Sequence, residues 1–294
     1  MKLISFVTDW LVPFNLFFMT LTLGLGLSLD DFVRVFQRPL IVLTATVSQL
    51  VLLPALAIAL AAALPAGDEL LTGIIILSVC PGGYISNYFV FLARGNVALS
   101  VSLTSVSTVL SPFTVPAIVA IAVFVLNLEH TAPRLPAGQI VIQLMILVWL
   151  PLAAGLALVK RFGHRVQRWQ TIFTRLSVLL MVATLLLASW AIWPEFLANV
   201  AKTGLFAIGF TLGAFLVGFV VSRPFPATDR NSVMIEFPAR NVGIAVLVGV
   251  PIIPEGSFVS FLIVYFILES TILLSLALKM RARGSARTSA GRQL

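Results

Sequence analysis

The amino-acid sequence predicts an all-α polytopic membrane protein with nine transmembrane helices. Of its 294 residues, 60% are hydrophobic and 10% are charged, whereas soluble domains average about 45–50% apolar and 25% charged residues. The hydrophobic residues fall into nine runs, each close to the roughly 20 residues that one crossing needs. Two of these runs combine a helix breaker with polar groups, so the fold is expected to include discontinuous helices.

The nine apolar runs are separated by segments rich in Pro, Gly, Asp and Arg, which favour turns. In order, the runs cover about residues 11–28, 40–64, 70–93, 97–126, 138–159, 176–193, 203–222, 231–250 and 256–278. We interpret residues 1–280 as one transmembrane domain, with halves of about 11–126 and 138–278. Residues 281–294 are predicted to form a disordered basic cytoplasmic tail, because Arg, Ser and Gly are frequent there.

The net charge of +8 arises from Lys and Arg residues concentrated in alternate segments between the runs. Such residues mark cytoplasmic loops, which predicts an amino terminus outside and a carboxyl terminus in the cytoplasm of a plasma (bacterial inner) membrane. Lys2, Arg134 and Lys202 alone fall on the opposite side. Since topology explains the basic residues, we expect no nucleic-acid partner. With one Cys and two His, we expect no transition-metal cluster.

Both helix breaks carry polar groups into the predicted hydrocarbon region. The third run contains Pro81, Gly82 and Gly83, and the eighth contains Pro238 between Glu236 and Asn241. On the predicted topology these two spans cross in opposite directions. That pattern is typical of an inverted repeat whose discontinuous helices cross near the membrane centre, with a core domain that contains the crossing and a panel domain packed against it.

Several oxygen-bearing side chains cluster near these breaks. Ser86 and Asn87 follow the first break, Ser100 and Thr104 share one helix face because they are four residues apart, and Glu236 supplies a carboxylate. A single Ser or Thr in a membrane helix more often bonds its own backbone or a neighbouring helix. The group as a whole nevertheless predicts a site for a hard monovalent cation.

Three further polar residues at membrane depth leave alternatives open. Glu236 and Arg240 either form part of a functional site or neutralise each other and pin the break; a charge at this depth costs about 2.5–3.5 kcal/mol on insertion scales. Glu269 either pairs with Arg240 or lines the inner mouth of the protein. Gln49 either ligates a bound ion or forms a hydrogen bond between helices.

Four segments resemble the bile acid:sodium symporter family, and the resemblance covers nearly the whole chain. They are Cys80 to Pro112, Gly24 to Phe32, Gln49 to Pro54 and Glu236 to Gly243. The chain looks like a bacterial-type homologue in a nine-helix variant, beginning at the second helix of the ten-helix members.

The resemblance implies two cation sites and a substrate region. The first sodium site would fall on Ser86, Asn87, Ser100, Thr104 and Glu236. The second would use Gln49, Glu236, the backbone around Phe237 and Ala239, and a glutamine at the position of Arg240, so the arginine alters that site. The substrate region would involve Gly83, Tyr84, Arg240 and Asn241.

We therefore expect a secondary active transporter that couples sodium to uptake of an organic anion, either bile-acid-like or a small carboxylate, by alternating access. No enzyme activity and no cofactor besides sodium as the coupling ion are expected, and a monomer would suffice. One alternative is a sodium-independent or proton-coupled carrier in which Arg240 replaces the cation. Another is a non-transporting membrane ligand sensor. The lone Cys80 disfavours an arsenite-type carrier.

Overall fold

The computed structural model describes residues 2–27, 39–64, 67–128, 137–163, 165–253 and 256–290. Helices account for 88% of these residues, and no strand occurs among them. In chain order the helices are α1 (Lys2–Phe6), a π-helical turn (Val7–Leu11), α2 (Val12–Gly26), α3 (Pro39–Ala63), α4 (Asp68–Val79), α5 (Ile85–Leu92), α6 (Val97–Val125), α7 (Ala137–Leu144), a second π-helical turn (Met145–Trp149), α8 (Leu150–Phe162), α9 (Arg165–Ala191), α10 (Trp193–Val221), α11 (Ala227–Glu236), α12 (Val242–Gly249) and α13 (Gly256–Ala290).

Seven helical stretches of the described residues are long and apolar enough to cross a membrane. They coincide with seven of the nine predicted runs. The other two runs, 70–93 and 231–250, contain the shorter helix pairs α4–α5 and α11–α12. Large apolar side chains cover the outside of the long helices; Leu40 and Trp190 are each 77% exposed. Lipid is the solvent in which such a surface is stable, so the chain is an integral membrane protein.

Several helices extend beyond the predicted apolar runs. α9 begins at Arg165 instead of about 176, and α10 begins at Trp193 instead of about 203. A hydropathy pattern locates only the apolar part of a helix, so it misses the more polar first turns. α13 continues to Ala290, where a disordered tail was expected from residue 281; Arg and Ala have high helix propensity and no proline interrupts them. Arg34, Arg38 and Arg134, on which part of the orientation depends, lie outside the described residues.

The long helices pack in two groups. α2 packs against α8 and α9, and α10 packs against α13 and α3. Glycines bring α2 and α8 into backbone contact: a Cβ added to Gly155 would lie 2.7 Å from the carbonyl carbon of Gly24. Small residues at such a crossing are a common means of joining membrane helices.

The two interrupted helices meet through their backbones. α4 ends at Val79 and α11 at Glu236, close before Pro81 and Pro238, which cannot continue a helical hydrogen-bond ladder. The Gly83 amide donates to the Ala239 carbonyl (2.8 Å), and the Asn241 amide donates to the Pro81 carbonyl (2.9 Å). This short antiparallel bridge satisfies backbone groups that the breaks release far from water.

Candidate cation and substrate sites

The Glu236 carboxylate is the centre of a buried polar cluster. It lies at the last residue of α11 and is fully buried. Ser100 Oγ donates to its Oε2 (2.9 Å), and Thr104 Oγ1 donates to its Oε1 (2.6 Å). The two hydroxyls come from successive turns of α6, so the predicted shared face is the one that meets the carboxylate.

A second set of contacts holds α11 against the start of α6. The Asn96 side chain accepts from the Leu99 amide, which caps α6 (3.1 Å), and its Nδ2 donates to Asp229 Oδ1 (2.8 Å). Ser232 Oγ donates to the Asn96 carbonyl (2.9 Å). These bonds fix Glu236 relative to Ser100 and Thr104.

Gly82 leaves room for the carboxylate. A Cβ at this position would collide with Glu236 Oε1 and would lie 3.4 Å from Thr104 Oγ1. Any larger residue would therefore displace the acidic group. The first break therefore places a residue without a side chain, Gly82, directly against the carboxylate.

Ser86 and Asn87 lie at the start of α5. Ser86 interacts with the Glu236 carboxylate, although its Oγ makes no hydrogen bond of ordinary geometry, and the Oδ1 and Nδ2 of Asn87 have no hydrogen-bond partner. Buried polar atoms are paired in the large majority of cases. The Ser86 hydroxyl oxygen and the Asn87 amide oxygen are available as oxygen ligands.

Arg240 does not contact the carboxylate of Glu236. Its Nη1 donates to the Cys80 carbonyl (3.1 Å) and its Nη2 to the Glu236 carbonyl, while its Nε is buried without a partner. Among the described residues it forms no ion pair. The guanidinium therefore joins the two breaks, and a direct Glu236–Arg240 ion pair, one of the two alternatives raised by the sequence, is not formed.

A small cavity lies beside two members of the altered second cation site, Gln49 and Arg240. Gln49, Thr46, Cys80, Pro81 and Arg240 line it. Gln49 Nε2 and Thr46 Oγ1 have no partner. Two other members of the predicted set lie nearby in the break: Phe237 is fully buried, and the carbonyl of Ala239 accepts the bridge hydrogen bond from Gly83.

A second, larger cavity also reaches the crossing. Its polar end is formed by Gly83, Arg240 and Asn241, next to the amino ends of α5 and α12. Its walls are mainly apolar side chains from α2, α9, α12 and α13: Val12, Leu16, Met19, Met181, Leu185, Ala188, Val246, Leu262, Ile263 and Phe266. A cavity with one polar end and apolar walls suits an amphipathic ligand.

Tyr84 does not line this cavity. It packs instead against Leu23, Leu27 and Leu152 of the α2–α8 pair. Of the four residues expected near the substrate, three are therefore brought to the cavity and one contacts the neighbouring helices.

Sequence reasoning missed Asn15, Thr184 and Tyr265. Asn15 and Thr184 are buried in α2 and α9 and line the large cavity. The Tyr265 hydroxyl donates to the Pro238 carbonyl at the second break. An asparagine within an apolar run and a tyrosine one turn before Glu269 were the available signals.

The fold and its buried polar centre define a helical membrane protein with two interrupted helices. The family model described as "Sodium Bile acid symporter family" matches residues 13–192, more than half of the chain. The protein belongs to this family, as the sequence motifs predict.

Three curated relatives are similar to the chain. The "Uncharacterized sodium-dependent transporter YocS" of Bacillus subtilis is 30% identical over 76% of this chain and 68% of its own length. The "Probable sodium/metabolite cotransporter BASS2, chloroplastic" of Oryza sativa is 32% identical over 64% of this chain and 43% of its own. The human "Sodium/bile acid cotransporter 4" is 26% identical over 84% and 58%, respectively. The chain thus spans between about two fifths and two thirds of these relatives, whose names describe transporters.

Proposed function

We propose that the protein is a secondary active transporter that couples the inward movement of sodium to that of an organic anion. The observation that carries this proposal is the buried Glu236 carboxylate, which accepts from two hydroxyl groups and, among the described residues, has no cationic side chain within ion-pair distance. An isolated buried carboxylate is costly unless it is paired. A sodium ion held by Glu236, Ser86, Asn87, Ser100 and Thr104 supplies the missing positive charge, and hard cations prefer such oxygen ligands.

The proposed substrate binds in the larger cavity. Its anionic group lies at the polar end, which Arg240 lines and where the positive amino ends of α5 and α12 favour negative charge. Its body contacts the apolar walls. Because these walls are mainly apolar side chains, an amphipathic, bile-acid-like anion fits better than a small carboxylate.

Sodium and substrate are coupled because the first helix break contributes to both of their sites. Sodium bound to Glu236 and Ser86 fixes the backbone from Gly82 to Ser86, and the same segment forms the polar end of the substrate cavity through Gly83. Each ligand therefore raises the affinity for the other, as thermodynamic linkage requires. Two of the relatives are named as a sodium-dependent transporter and a sodium/metabolite cotransporter, which supports sodium as the coupling ion.

The proposed architecture has nine crossings, with α4–α5 and α11–α12 forming the third and the eighth. The antiparallel bridge between the breaks supports an inverted repeat, because it joins equivalent points of two helix pairs. We assign α2, α8 and α9 to a panel domain and the remaining long helices to a core domain. Alternating access is then a movement of the panel against the core, which opens the cavity on either side.

The experiment is a thermal-shift screen of the purified protein against a panel of organic anions, each with sodium or with potassium. We expect stabilisation by an amphipathic anion that is larger in sodium. Stabilisation that is equal in both salts favours the sodium-independent or proton-coupled carrier. Binding without any uptake into proteoliposomes favours the ligand sensor.

A further inference from the structure

The lining of the small cavity beside the crossing suits an anion better than a cation. Thr46 and Gln49 of α3 and Arg240 of the second break line it. Among the described residues of this lining there is no Asp or Glu, so the guanidinium carries its only formal charge. Because that charge repels a sodium ion, the residues do not fit the second cation that the family resemblance implies.

Three side chains of this lining carry buried donor atoms without a partner. The atoms are Thr46 Oγ1, Gln49 Nε2 and Arg240 Nε, and the residues are 6%, 4% and 4% exposed, respectively. A hydroxyl group, an amide nitrogen and a guanidinium nitrogen can each donate a hydrogen bond. Buried polar atoms are paired in the large majority of cases, so these three atoms favour a ligand that accepts hydrogen bonds.

The free hydroxyl of Thr46 distinguishes it from other buried threonines of the long helices. The hydroxyl groups of Thr20, Thr184 and Thr211 each donate to the carbonyl four residues earlier in their own helix. Thr46 is also buried within a helix, yet its hydroxyl makes no such bond. Its donor therefore remains available to an occupant of the small cavity.

The charge of Arg240 also favours an anion at this place. Its hydrogen bonds go to the carbonyls of Cys80 and Glu236, which satisfy two donors but do not balance the charge. Among the described residues no carboxylate lies within ion-pair distance of it; Glu269 is buried on α13, where its Oε2 accepts from Ser270 (3.2 Å). A buried charge that lacks a counter-charge is strongly destabilising.

We propose that the small cavity binds one small inorganic anion, such as chloride, through Arg240, Gln49 and Thr46. The free space corresponds to about one water molecule, which suits a halide ion and excludes an organic anion. The inference goes beyond the proposed function, because it requires neither sodium nor the organic substrate. The anion and the guanidinium form a neutral pair in the place of a second sodium ion.

The test is the melting temperature of the full-length protein in detergent, with chloride replacing gluconate at constant sodium and constant ionic strength. Wild type should show a saturable rise with chloride, because a ligand that binds the folded state stabilises it. Arg240→Gln should lose this rise. Thr46→Val and Gln49→Leu each remove one donor, and each should raise the half-saturating chloride concentration about tenfold.

Two variants provide matched controls. Thr211→Val makes the same change at a buried threonine whose hydroxyl is bonded to the Ala207 carbonyl (2.7 Å), and Arg223→Gln removes an exposed arginine. Both should keep the wild-type response to chloride. The saturable rise should also persist when potassium replaces sodium, so a failure of the sodium proposal leaves this inference standing.

Equal wild-type melting temperatures in chloride and gluconate would overturn the proposal and leave water as the occupant. A response that Arg240→Gln removes but Thr46→Val and Gln49→Leu leave unchanged would also overturn it, because the anion then lies in the larger cavity, which Arg240 lines as well. A rise that does not saturate and is equal in all variants is a general salt effect and contradicts the site. If Arg240→Gln does not fold, the Thr46 and Gln49 variants decide the outcome.

Discussion

At the scale of single residues, the sodium proposal depends on the side chains that supply oxygen ligands and negative charge. Glu236→Gln removes the formal charge, and Asn87→Ala removes an unpartnered amide oxygen. Both variants should fold and should lose the sodium-dependent rise in melting temperature. In wild type, sodium at about 100 times its dissociation constant should contribute about 2.7 kcal/mol.

Ser105→Ala is the matched control for these two changes. Ser105 follows Thr104 on α6 and is equally buried, but its hydroxyl donates to the Val101 carbonyl (2.6 Å). The control should keep the full sodium response. Wild-type behaviour in both Glu236→Gln and Asn87→Ala would remove the assignment of the first site.

Arg240 determines the expected stoichiometry. A guanidinium at the position of a second cation should limit coupling to one sodium, so uptake of a monovalent anion into proteoliposomes should show a sodium Hill coefficient near one and little response to voltage. Each coupled charge forgone gives up about 2.3 kcal/mol at 100 mV, which lowers the attainable concentration ratio roughly 50-fold. Arg240→Gln should increase both the coefficient and the voltage response. A wild-type coefficient near two with strong voltage dependence would mean that both cation sites operate.

Residue identity predicted part of the site but not its contacts. The spacing of Ser100 and Thr104 predicted a shared face, and the resemblance named Glu236. No local pattern indicated that Arg240 would bond the carbonyl of Cys80, because partners 160 residues apart in the chain are brought together by the fold. The position of Tyr84 was missed for the same reason.

At the scale of helices, the break around Gly82 is the element most sensitive to volume. Gly82→Ala places a methyl group against the Glu236 carboxylate, and overpacking of this kind costs about 1–3 kcal/mol. We expect a lower melting temperature and a weakened sodium response. The measurement is the same sodium titration that tests Glu236.

Gly138→Ala provides the comparison for that variant. Gly138 is helical, and a Cβ there would meet nothing within 4 Å. This change should leave the protein unaffected or stabilise it by up to about 1 kcal/mol. Equal behaviour of the two alanine variants would contradict the tight contact between the first break and the carboxylate.

Helix positions could be predicted from hydropathy, whereas helix faces could not. In a soluble protein the apolar stripe marks the core, but in lipid the outer face is apolar too. Leu40 is 77% exposed and Leu53 fully buried within α3, with nothing in residue type to distinguish them. Partner helices therefore became visible only in the structure, through features such as the Gly24–Gly155 contact.

At the scale of the whole molecule, the orientation follows from the basic segments and is directly testable. In a Cys80→Ala background, Gly67→Cys should react with a membrane-impermeant thiol reagent added outside, because this exposed residue lies in a predicted external segment. Arg223→Cys, in a predicted cytoplasmic segment, should react only after the membrane is permeabilised. The reverse pattern would invert the assigned topology.

The central claim is that a sodium gradient drives accumulation of an organic anion through the site at Glu236. The most direct measurement is uptake, into proteoliposomes, of the anion that gives the largest sodium-dependent thermal shift. An inward sodium gradient should raise the internal anion above its external concentration in wild type, and a sodium ionophore or Glu236→Gln should abolish this accumulation. Equal uptake when potassium replaces sodium, or accumulation that persists in Glu236→Gln, would contradict the account.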